Sequence, residues 1–433
     1  LYQNRIVLMT NDQKLMLEIE YRKKSLIELT QDLIRMPTVN PPCANYLEIC
    51  EFLKKRLEAS GFETQLIRAK GAIADSDKYP RWNIVAKYAG KNPGDCVHFN
   101  SHTDVVEVGH GWTKDPFGGE LHDGKIYGRG ACDMKGGLAT SIIAAEAFIA
   151  TYPDFNGSIE ISGTADEESG GFGGVAYLAE KGFFKHVDHV IIPEPLNKDR
   201  VCIGHRGVWW AEVETKGRIA HGSMPFLGDC AVRHMGAVLE QLEEKLYPAL
   251  KDKKTTMPVV PDGAKESTLN INSIHGGEAE QEEDYTGLPS PNVPDRCRIV
   301  IDRRFLIEEK LPEVKSEIYE LLNNLKENRQ NFDFEIRDMH EVHPTMAPKD
   351  APVVTTISNA IKDVLGKTAE QVVSPGTYDQ KHIDRIGKLD NCIAYGPGIL
   401  DLAHQPDEWI GVDDMIDSAK IMGKALTNFH SVT

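Results

Sequence analysis

Short apolar segments typical of β-strands alternate with longer helical segments through the first half of the chain, and this alternation restricts the fold more than any other feature. The strand-like segments are residues 64–67, 83–89, 96–102, 158–165 and 189–194. Apolar residues recur at helical spacing over 13–60, with a break at the prolines between 36 and 42, and a long apolar helix is expected over about 134–151. Strands that alternate with helices predict an α/β domain with a largely parallel sheet.

The pattern changes near residue 207, where VWWAEVETKG alternates as a half-exposed antiparallel strand does. Further helices and strands are predicted at 229–247, 268–277, 295–305, 308–328 and 332–338, with an acidic loop over 278–294. This order predicts a β-α-β-β-α-β unit of the α+β (ferredoxin-like) kind. The α/β pattern then returns, so we expect a larger domain formed by 1–206 and 340–433, interrupted by a smaller one at 207–339.

The charge balance argues against nucleic acid as a partner. The chain has 66 acidic and 49 basic side chains, and its formal net charge of −17 would repel a phosphate backbone. Eight scattered cysteines without a CxxC pair are typical of reduced thiols. No apolar run reaches the ~18 residues that a membrane span requires, and the N-terminal segment lacks the apolar core of a signal peptide. We therefore expect a cytoplasmic protein with no membrane partner.

Histidines and carboxylates stand at five places, most of them where predicted strands end: 101–104 (SHTD), 128–137 (GRGACDMKGG), 166–168 (DEE), 193–195 (PEP) and 403–408 (AHQPDE). In an extended segment His102 and Asp104 point the same way, because side chains alternate with a period of two. Asp104 is therefore suited to hold the far ring nitrogen of His102, as carboxylates hold zinc-bound imidazoles.

Each of these places also has an ordinary structural explanation. Asp133 precedes the long apolar helix and would serve as an N-cap, although the surrounding glycines favour a close approach of the backbone to a ligand. The three adjacent carboxylates at 166–168 repel one another unless a metal ion relieves them, but solvated acidic turns are common. Glu194 at a strand end and His404 near the C-terminus would ordinarily be exposed surface residues.

Taken together, these residues match one family in identity, order and approximate spacing. The sequence resembles the M20 family of metallohydrolases, the acetylornithine deacetylase and succinyl-diaminopimelate desuccinylase group, over nearly its whole length. The most specific part of the match is WTKDPFGGELHDGKIYGRGACDMKGG, residues 112–137. The resemblance implies a zinc-hydrolase-type mixed sheet flanked by helices, and a lid or dimerisation role for the inserted domain.

The resemblance implies that five residues hold two divalent ions, zinc first, with cobalt or manganese as substitutes: His102, Asp133, Glu168, Glu194 and His404. His102 and Glu194 would hold one ion, Glu168 and His404 the other, and Asp133 would bridge both. Histidine and carboxylate ligands suit these metals. The resemblance also implies a cis peptide bond after Asp133.

Catalytic roles follow from the same resemblance. Glu167, the first residue of the glutamate pair, would be the general base, and Asp104 would orient His102. Glu167 would take a proton from a water activated by the two cations and pass it to the leaving amine. His221, in GRIAHGSMPFLG, matches a family histidine that stabilises the tetrahedral oxyanion, often from the partner subunit. The alternative explanation of His221 is structural, as a histidine in a turn flanked by glycine.

Substrate contacts are implied later in the chain. Arg304, in DRRF, matches the family arginine that binds a substrate carboxylate. Arg303 competes for this role, and strand alternation lets only one of the two face the site. Gly376 and Thr377 match the family's late Gly-Thr segment, but the following residues 378–382 (YDQKH) depart from the commoner deacetylase pattern. Because of this departure, the sequence does not determine which acyl group and which amine form the substrate.

The leading interpretation is hydrolysis of the amide bond of a small N-acylated amino acid that carries a free carboxylate. A dipeptidase or carboxypeptidase, and an aminohydrolase or deformylase, would share the same site and differ in the pocket. A remote alternative is an inactive binding homologue. The presence of all five ligands and Glu167 argues against it, because inactive relatives typically lose one of these residues. We also expect a homodimer formed through the inserted domain.

Overall fold

The computed structural model describes residues 9–277, 291–430 and 432, and the chain divides into two units. Unit 1 contains Leu1–Gly204, Met346–Val372 and Tyr378–Thr433, and unit 2 contains His205–Thr345 and Val373–Thr377. Most of the predicted acidic loop falls on residues 278–290, which lie outside the described residues. No helix within the described ranges combines the length and the apolar character that a membrane crossing requires.

Both units contain α-helices. In chain order these are α1 (Asn11–Tyr21), α2 (Lys23–Ile34), α3 (Tyr46–Ala59), α4 (Gly136–Thr151), α5 (Val175–Glu180), α6 (Ala231–Gln241), α7 (Tyr247–Asp252), α8 (Leu311–Asn328), α9 (Pro352–Leu365), α10 (Gln380–Arg385) and α11 (Val412–Phe429). Helices α6, α7 and α8 belong to unit 2 and the others to unit 1.

The strands are numbered in the same way. They are β1 (Glu63–Arg68), β2 (Trp82–Ala89), β3 (Asn92–His102), β4 (Glu120–His122), β5 (Lys125–Tyr127), β6 (Asn156–Thr164), β7 (His189–Ile192), β8 (Arg200–His205), β9 (Gly207–Lys216), β10 (Thr268–Gly276), β11 (Arg296–Phe305), β12 (Asp333–Val342), β13 (Thr345–Met346), β14 (Glu370–Ser374), β15 (Cys392–Ala394) and β16 (Trp409–Gly411). Each strand predicted between 64 and 194 is present, with bounds that differ by four residues at most.

The central sheet of unit 1 is mixed, as the family resemblance implied. The largely parallel sheet expected from the strand–helix alternation is wrong for β1, β2 and β8, which pair antiparallel with their neighbours. Its order includes β1-β2-β6-β3-β7-β15-β8. Strand β3 pairs in parallel with both β6 and β7, whereas β1, β2 and β6 pair with one another antiparallel. Because β3, β6 and β7 run in the same direction, their carboxyl ends meet at one edge of the sheet, where α/β proteins place their ligands.

Helix α4 forms the core of unit 1. Every residue from Gly136 to Phe148 is buried, and the helix packs against α1, α2 and α11. A helix that is apolar on all sides is stable only when it is covered on all sides. It begins at Gly136, two residues later than expected, because Asp133 and Met134 have non-helical backbone angles. The eight cysteines are free thiols, as predicted.

Unit 2 contains a β-α-β-β-α-β arrangement with the antiparallel order β10-β11-β9-β12, which confirms the ferredoxin-like prediction. The alternation in β9 buries Trp209, Ala211 and Val213 on one face. These side chains join a core with residues of α6 and α8, such as Met235 and Ile318. The inserted segment therefore has a hydrophobic core of its own.

Candidate active site

The five predicted metal ligands come from five separate segments of unit 1. His102 ends β3, Glu168 lies in a short turn (Glu167–Ser169) after β6, and Glu194 follows β7. Asp133 lies in a kinked turn (Ala131–Lys135) before α4, and His404 lies in the loop before β16. Three of these positions follow parallel neighbouring strands, and the structure brings all five side chains together. We call these five residues the catalytic cluster.

Asp133 lies between the two histidines. Its Oδ1 is 3.0 Å from Nε2 of His102, and its Oδ2 is 3.6 Å from Nε2 of His404. Oε1 of Glu194 lies 3.9 Å from Nε2 of His102, and Oε2 of Glu168 lies 3.2 Å from Nε2 of His404. Each histidine therefore has its own glutamate, and the two pairs share Asp133. The peptide bond between Asp133 and Met134 is cis, as predicted.

The side chains of the cluster differ in exposure, and His404 is the most exposed of the five. The side chain of His102 is 1% exposed and that of Glu194 is 10% exposed, whereas the side chain of His404 is 50% exposed. A ligand can therefore reach the cluster past His404.

The electrostatics of the catalytic cluster favour cations. Burial and the neighbouring Asp133 raise the pKa of Glu168 to about 7, and the same two causes raise the pKa of Glu194 well above its usual range. Glu168 raises the pKa of His404 to about 9. Burial opposes the charged form of His102, but the surrounding carboxylates raise its pKa well above the usual value. Three buried carboxylates repel one another, and a divalent cation would relieve this repulsion. The donor set and its charge therefore fit a metal centre.

Asp104 supports this cluster in a way that the sequence did not predict. His102 Nδ1 lies 2.9 Å from the backbone oxygen of Asp104 and 3.6 Å from its carboxylate. The carboxylate accepts instead from the backbone N–H groups of Glu167 and Glu168, each at 3.2 Å, and from Nδ2 of Asn40 at 2.9 Å. One residue thus fixes the ring of His102 and the turn that carries the glutamate pair.

Glu408 is a supporting residue that the sequence reasoning missed. Its fully buried carboxylate accepts from the backbone N–H groups of Cys132 (2.8 Å) and Asp133 (3.1 Å), and from Nη1 of Arg129 (2.6 Å). These bonds hold the turn that presents Asp133. The sequence did offer a signal, because Glu408 lies four residues after His404 in AHQPDE and has no ligand role that would explain an acidic residue there.

Lys381 contacts the predicted general base. Its Nζ lies 3.3 Å from Oε1 of Glu167, and its side chain is 3% exposed. Asp379 lies close by, and burial together with Glu167 raises its pKa to about 7. Asn100 donates to the Asp379 carboxylate at 2.8 Å. Asp379 and Lys381 both belong to segment 378–382. The departure of this segment from the family pattern was the sequence signal for these two residues.

The remaining predicted site residues belong to unit 2: His221, Arg304, Gly376 and Thr377. His221 is exposed, and its Nδ1 lies 2.8 Å from the hydroxyl of Ser223. The N–H of Gly376 donates to the hydroxyl of Ser374 at 3.2 Å.

The two arginines of DRRF have different surroundings within unit 2. Arg303 is fully buried and donates to Glu309 at 2.8 Å and to Glu317 at 3.2 Å. Arg304 projects from the opposite face of β11, where its Nε and Nη2 donate to the Asp302 carboxylate at 2.7 and 2.9 Å. Arg303 is therefore committed to the interior of unit 2, and only Arg304 remains partly exposed.

The family model described as Peptidase family M20/M25/M40 matches residues 98–428, a range that includes the whole catalytic cluster. The chain belongs to this family. The protein is therefore a metal-dependent hydrolase.

Relatives and solved structures agree with this assignment. The chain is 28% identical over 411 residues to a succinyl-diaminopimelate desuccinylase from Polynucleobacter necessarius, covering 92% of this chain and 98% of that protein. Human carnosine dipeptidase 1 has a TM-score of 0.76 at 19% identity, over 97% of this chain and 99% of that chain. An M20 family metallo-carboxypeptidase from Sulfolobus solfataricus has a TM-score of 0.73 at 19% identity, over 94% of this chain and 98% of that chain. The two structures share the fold.

Proposed function

We propose that the protein hydrolyses the amide bond of a small N-acylated amino acid, with two divalent ions in the catalytic cluster. The observation that carries the proposal is the position of Asp133, whose two oxygens face the two histidines, each of which has its own glutamate. The name of the similar desuccinylase supports a substrate of this chemical class.

In this proposal His102 and Glu194 hold one ion, Glu168 and His404 hold the other, and Asp133 contacts both. Zinc suits one histidine with carboxylates per ion, and cobalt and manganese are substitutes. Metal analysis of the purified protein should give at least two ions per chain. At most one ion per chain, even in excess metal, would contradict the bridging role of Asp133.

Glu167 is the residue that moves the proton. When bound, the divalent ions supply a water of lowered pKa and polarise the scissile carbonyl. Glu167 accepts the proton of the attacking water and then gives it to the leaving nitrogen. Lys381 holds one oxygen of Glu167 and so fixes the direction of its carboxylate. Asp104 fixes the backbone of the same turn.

Arg304 is the proposed partner of the substrate carboxylate. The planar guanidinium pairs two N–H groups with two carboxylate oxygens. Within unit 2 it already makes such a pair with Asp302. In this proposal the substrate carboxylate takes the place of Asp302.

A substrate panel tests the reaction. N-succinyl, N-acetyl and N-formyl amino acids should be compared with dipeptides, with zinc, cobalt and manganese each supplied. We expect the highest kcat/KM for an N-acylated amino acid with a free carboxylate, and loss of that activity when the carboxylate is esterified. A dipeptide as the best substrate would favour a dipeptidase, in line with the named activity of one structural neighbour.

We also propose that unit 2 forms a homodimer and that His221 acts on the partner's substrate. Around His221 the exposed apolar side chains are Ile219, Met224, Phe226 and Leu227, of which Phe226 is 78% exposed. Light scattering at micromolar concentration should give a dimer. Mixing inactive Glu167→Gln with inactive His221→Ala protein should restore partial activity, and the absence of any recovery would count against the role in trans.

A further inference from the structure

A second group of metal-ligand side chains lies in unit 1, apart from the catalytic cluster. Cys96 on β3, Glu160 on β6 and His186 in the connection between α5 and β7 each offer one ligand atom, and these atoms all lie within 4.8 Å of one another. Cys96 precedes His102 by six positions on the same strand, so the two groups are about 20 Å apart at 3.3 Å per residue. We call these three residues the Cys96 cluster.

We propose that the Cys96 cluster binds one divalent transition-metal ion of the zinc type, separate from the ions of the catalytic cluster. A thiolate, an imidazole and a carboxylate are the donors that zinc accepts, whereas calcium and magnesium prefer oxygen donors alone. Three protein ligands leave one position of a tetrahedron for water. The ion would tie the connection before β7 to two strands of the central sheet.

The carboxylate of this cluster is held in place before any ion binds. Oε2 of Glu160 lies 3.1 Å from Nδ1 of His98, whose Nε2 lies 2.8 Å from the hydroxyl of Ser162. That hydroxyl donates to Asn100, which in turn donates to Asp379. Oε1 of Glu160 is thereby directed to His186, whose Nε2 is 2.6 Å away. Metal sites commonly show such outer hydrogen bonds, which orient the ligand and raise affinity.

An ion has access to the cluster from solvent. A cavity of about 480 Å³ is lined by Glu160, His186 and Lys87, among others. The side chain of His186 is 49% exposed, whereas Cys96 is buried. An ion would therefore enter past His186 and Glu160, which line the cavity, and the buried thiol would bind it from the side of the protein interior.

Two groups must change when the ion binds. Nζ of Lys87 lies 3.1 Å from Oε1 of Glu160, and because its side chain is 42% exposed it can move into solvent. Cys96 is buried, and only its thiolate is a metal ligand, so the thiol must lose its proton. Binding then forms a metal–sulfur bond and releases the thiol proton to solvent, which makes the affinity rise with pH.

Cobalt titration of the whole protein tests this site without relying on activity. The ligands of the catalytic cluster are nitrogen and oxygen atoms, so a thiolate-to-cobalt charge-transfer absorption reports the Cys96 cluster alone. We expect three cobalt ions per chain and an absorption that accounts for one of them. Glu167→Gln should keep this absorption, so failure of the proposed catalytic role and failure of the Cys96 cluster are distinguishable.

Two substitutions and one matched control complete the test. Cys96→Ser should abolish the absorption. His186→Gln changes a half-exposed side chain and should leave folding intact. It should raise the cobalt Kd by more than roughly tenfold, because loss of even a supporting hydrogen bond weakens a metal site by at least about tenfold. Cys50→Ser, at a buried cysteine outside the cluster, should change neither. No charge-transfer absorption with excess cobalt, or an absorption that survives both substitutions, would overturn the proposal.

Discussion

Two histidine–carboxylate clusters draw on the same two neighbouring strands, β3 and β6, and they differ in charge balance. In the catalytic cluster three buried carboxylates meet two histidines, and burial with the neighbouring Asp133 raises the pKa of Glu168 to about 7. In the Cys96 cluster a single buried carboxylate, Glu160, meets His98, His186 and Lys87. Burial raises the pKa of Glu160 as well, but His98 and His186 outweigh burial and lower this pKa to about 2.

This difference shows that residue types alone do not define a metal centre. The catalytic cluster has more negative charge than its histidines can balance, so cations stabilise it. The Cys96 cluster already has its charge balanced by protein groups, so an ion must displace Lys87 and a thiol proton before it binds. We therefore expect tight ion binding at the first cluster and weaker, pH-dependent binding at the second.

The largest expected effect separates the two adjacent glutamates of the catalytic cluster. Glu167→Gln should lower kcat by about 10²–10⁴-fold, because the amide keeps the shape of the side chain but cannot accept a proton from water and return it. Metal content should stay at the level of the unchanged protein. Glu168→Gln should instead lower metal content, since one ligand charge is lost. Steady-state kinetics and metal analysis on both variants check this, and the opposite pattern would exchange the two roles.

The second effect concerns the support of Asp133. Glu408→Gln should leave the buried guanidinium of Arg129 without its charged partner, at a cost of about 3–5 kcal/mol in the free energy of unfolding. Metal affinity should fall about 10–100-fold because the turn is held less firmly. Chemical denaturation and calorimetric metal titration measure the two quantities.

A matched control for this prediction is Glu120→Gln. Glu120 is exposed and pairs with Lys114 at 3.0 Å. Exposed pairs contribute about 0–1 kcal/mol, so neither stability nor metal affinity should change noticeably. Equal losses in the two variants would show that the position of Glu408 has no special importance.

The third effect distinguishes the neighbouring arginines of unit 2. Arg304→Ala should lower kcat/KM by well over tenfold for a substrate with a free carboxylate, since losing a buried pair of this kind costs about 2–5 kcal/mol. Metal content should not change. Arg303→Ala should act on stability, because Glu309 and Glu317 lose their shared partner. If Arg304→Ala keeps the preference for the free acid over its methyl ester, another group holds the carboxylate.

The smallest expected effect is the acid sensitivity of the Cys96 cluster. The pKa of Glu160 is about 2 in the folded protein against a usual value of 4.5, so the unfolded chain binds more protons between these values. Its contribution is fully present above pH 4.5 and is lost as the pH falls through 2. We expect about 1–2 kcal/mol, less than the full shift implies, because His186 and Lys87 are partly exposed.

Urea denaturation of the metal-free protein between pH 5 and pH 2 measures this loss. Glu160→Gln should be less stable at pH 5 and should show a smaller decline towards pH 2 than the unchanged protein. Parallel declines in the two proteins would mean that the histidines do not stabilise the charged form of Glu160.

Sequence by itself determined the fold class and the candidate ligands. The strand–helix alternation predicted unit 1, and the β-α-β-β-α-β order predicted unit 2, because side-chain periodicity is set by local backbone geometry. The motifs around His102, Glu168 and Glu194 stand at strand ends, where parallel strands bring distant segments together. Identity and order were therefore enough to nominate the cluster before any distance was known.

Only the tertiary structure decided which polar groups meet. Glu408 accepts from the N–H of Asp133 across 275 positions, and Lys381 contacts Glu167 across 214. The sequence favoured Arg304 through the family resemblance and kept Arg303 as its competitor, and the burial of Arg303 beside Glu309 separates the two. The physical reason is that a buried polar group must find a partner wherever the packed chain supplies one, and no local pattern records which distant residue that is.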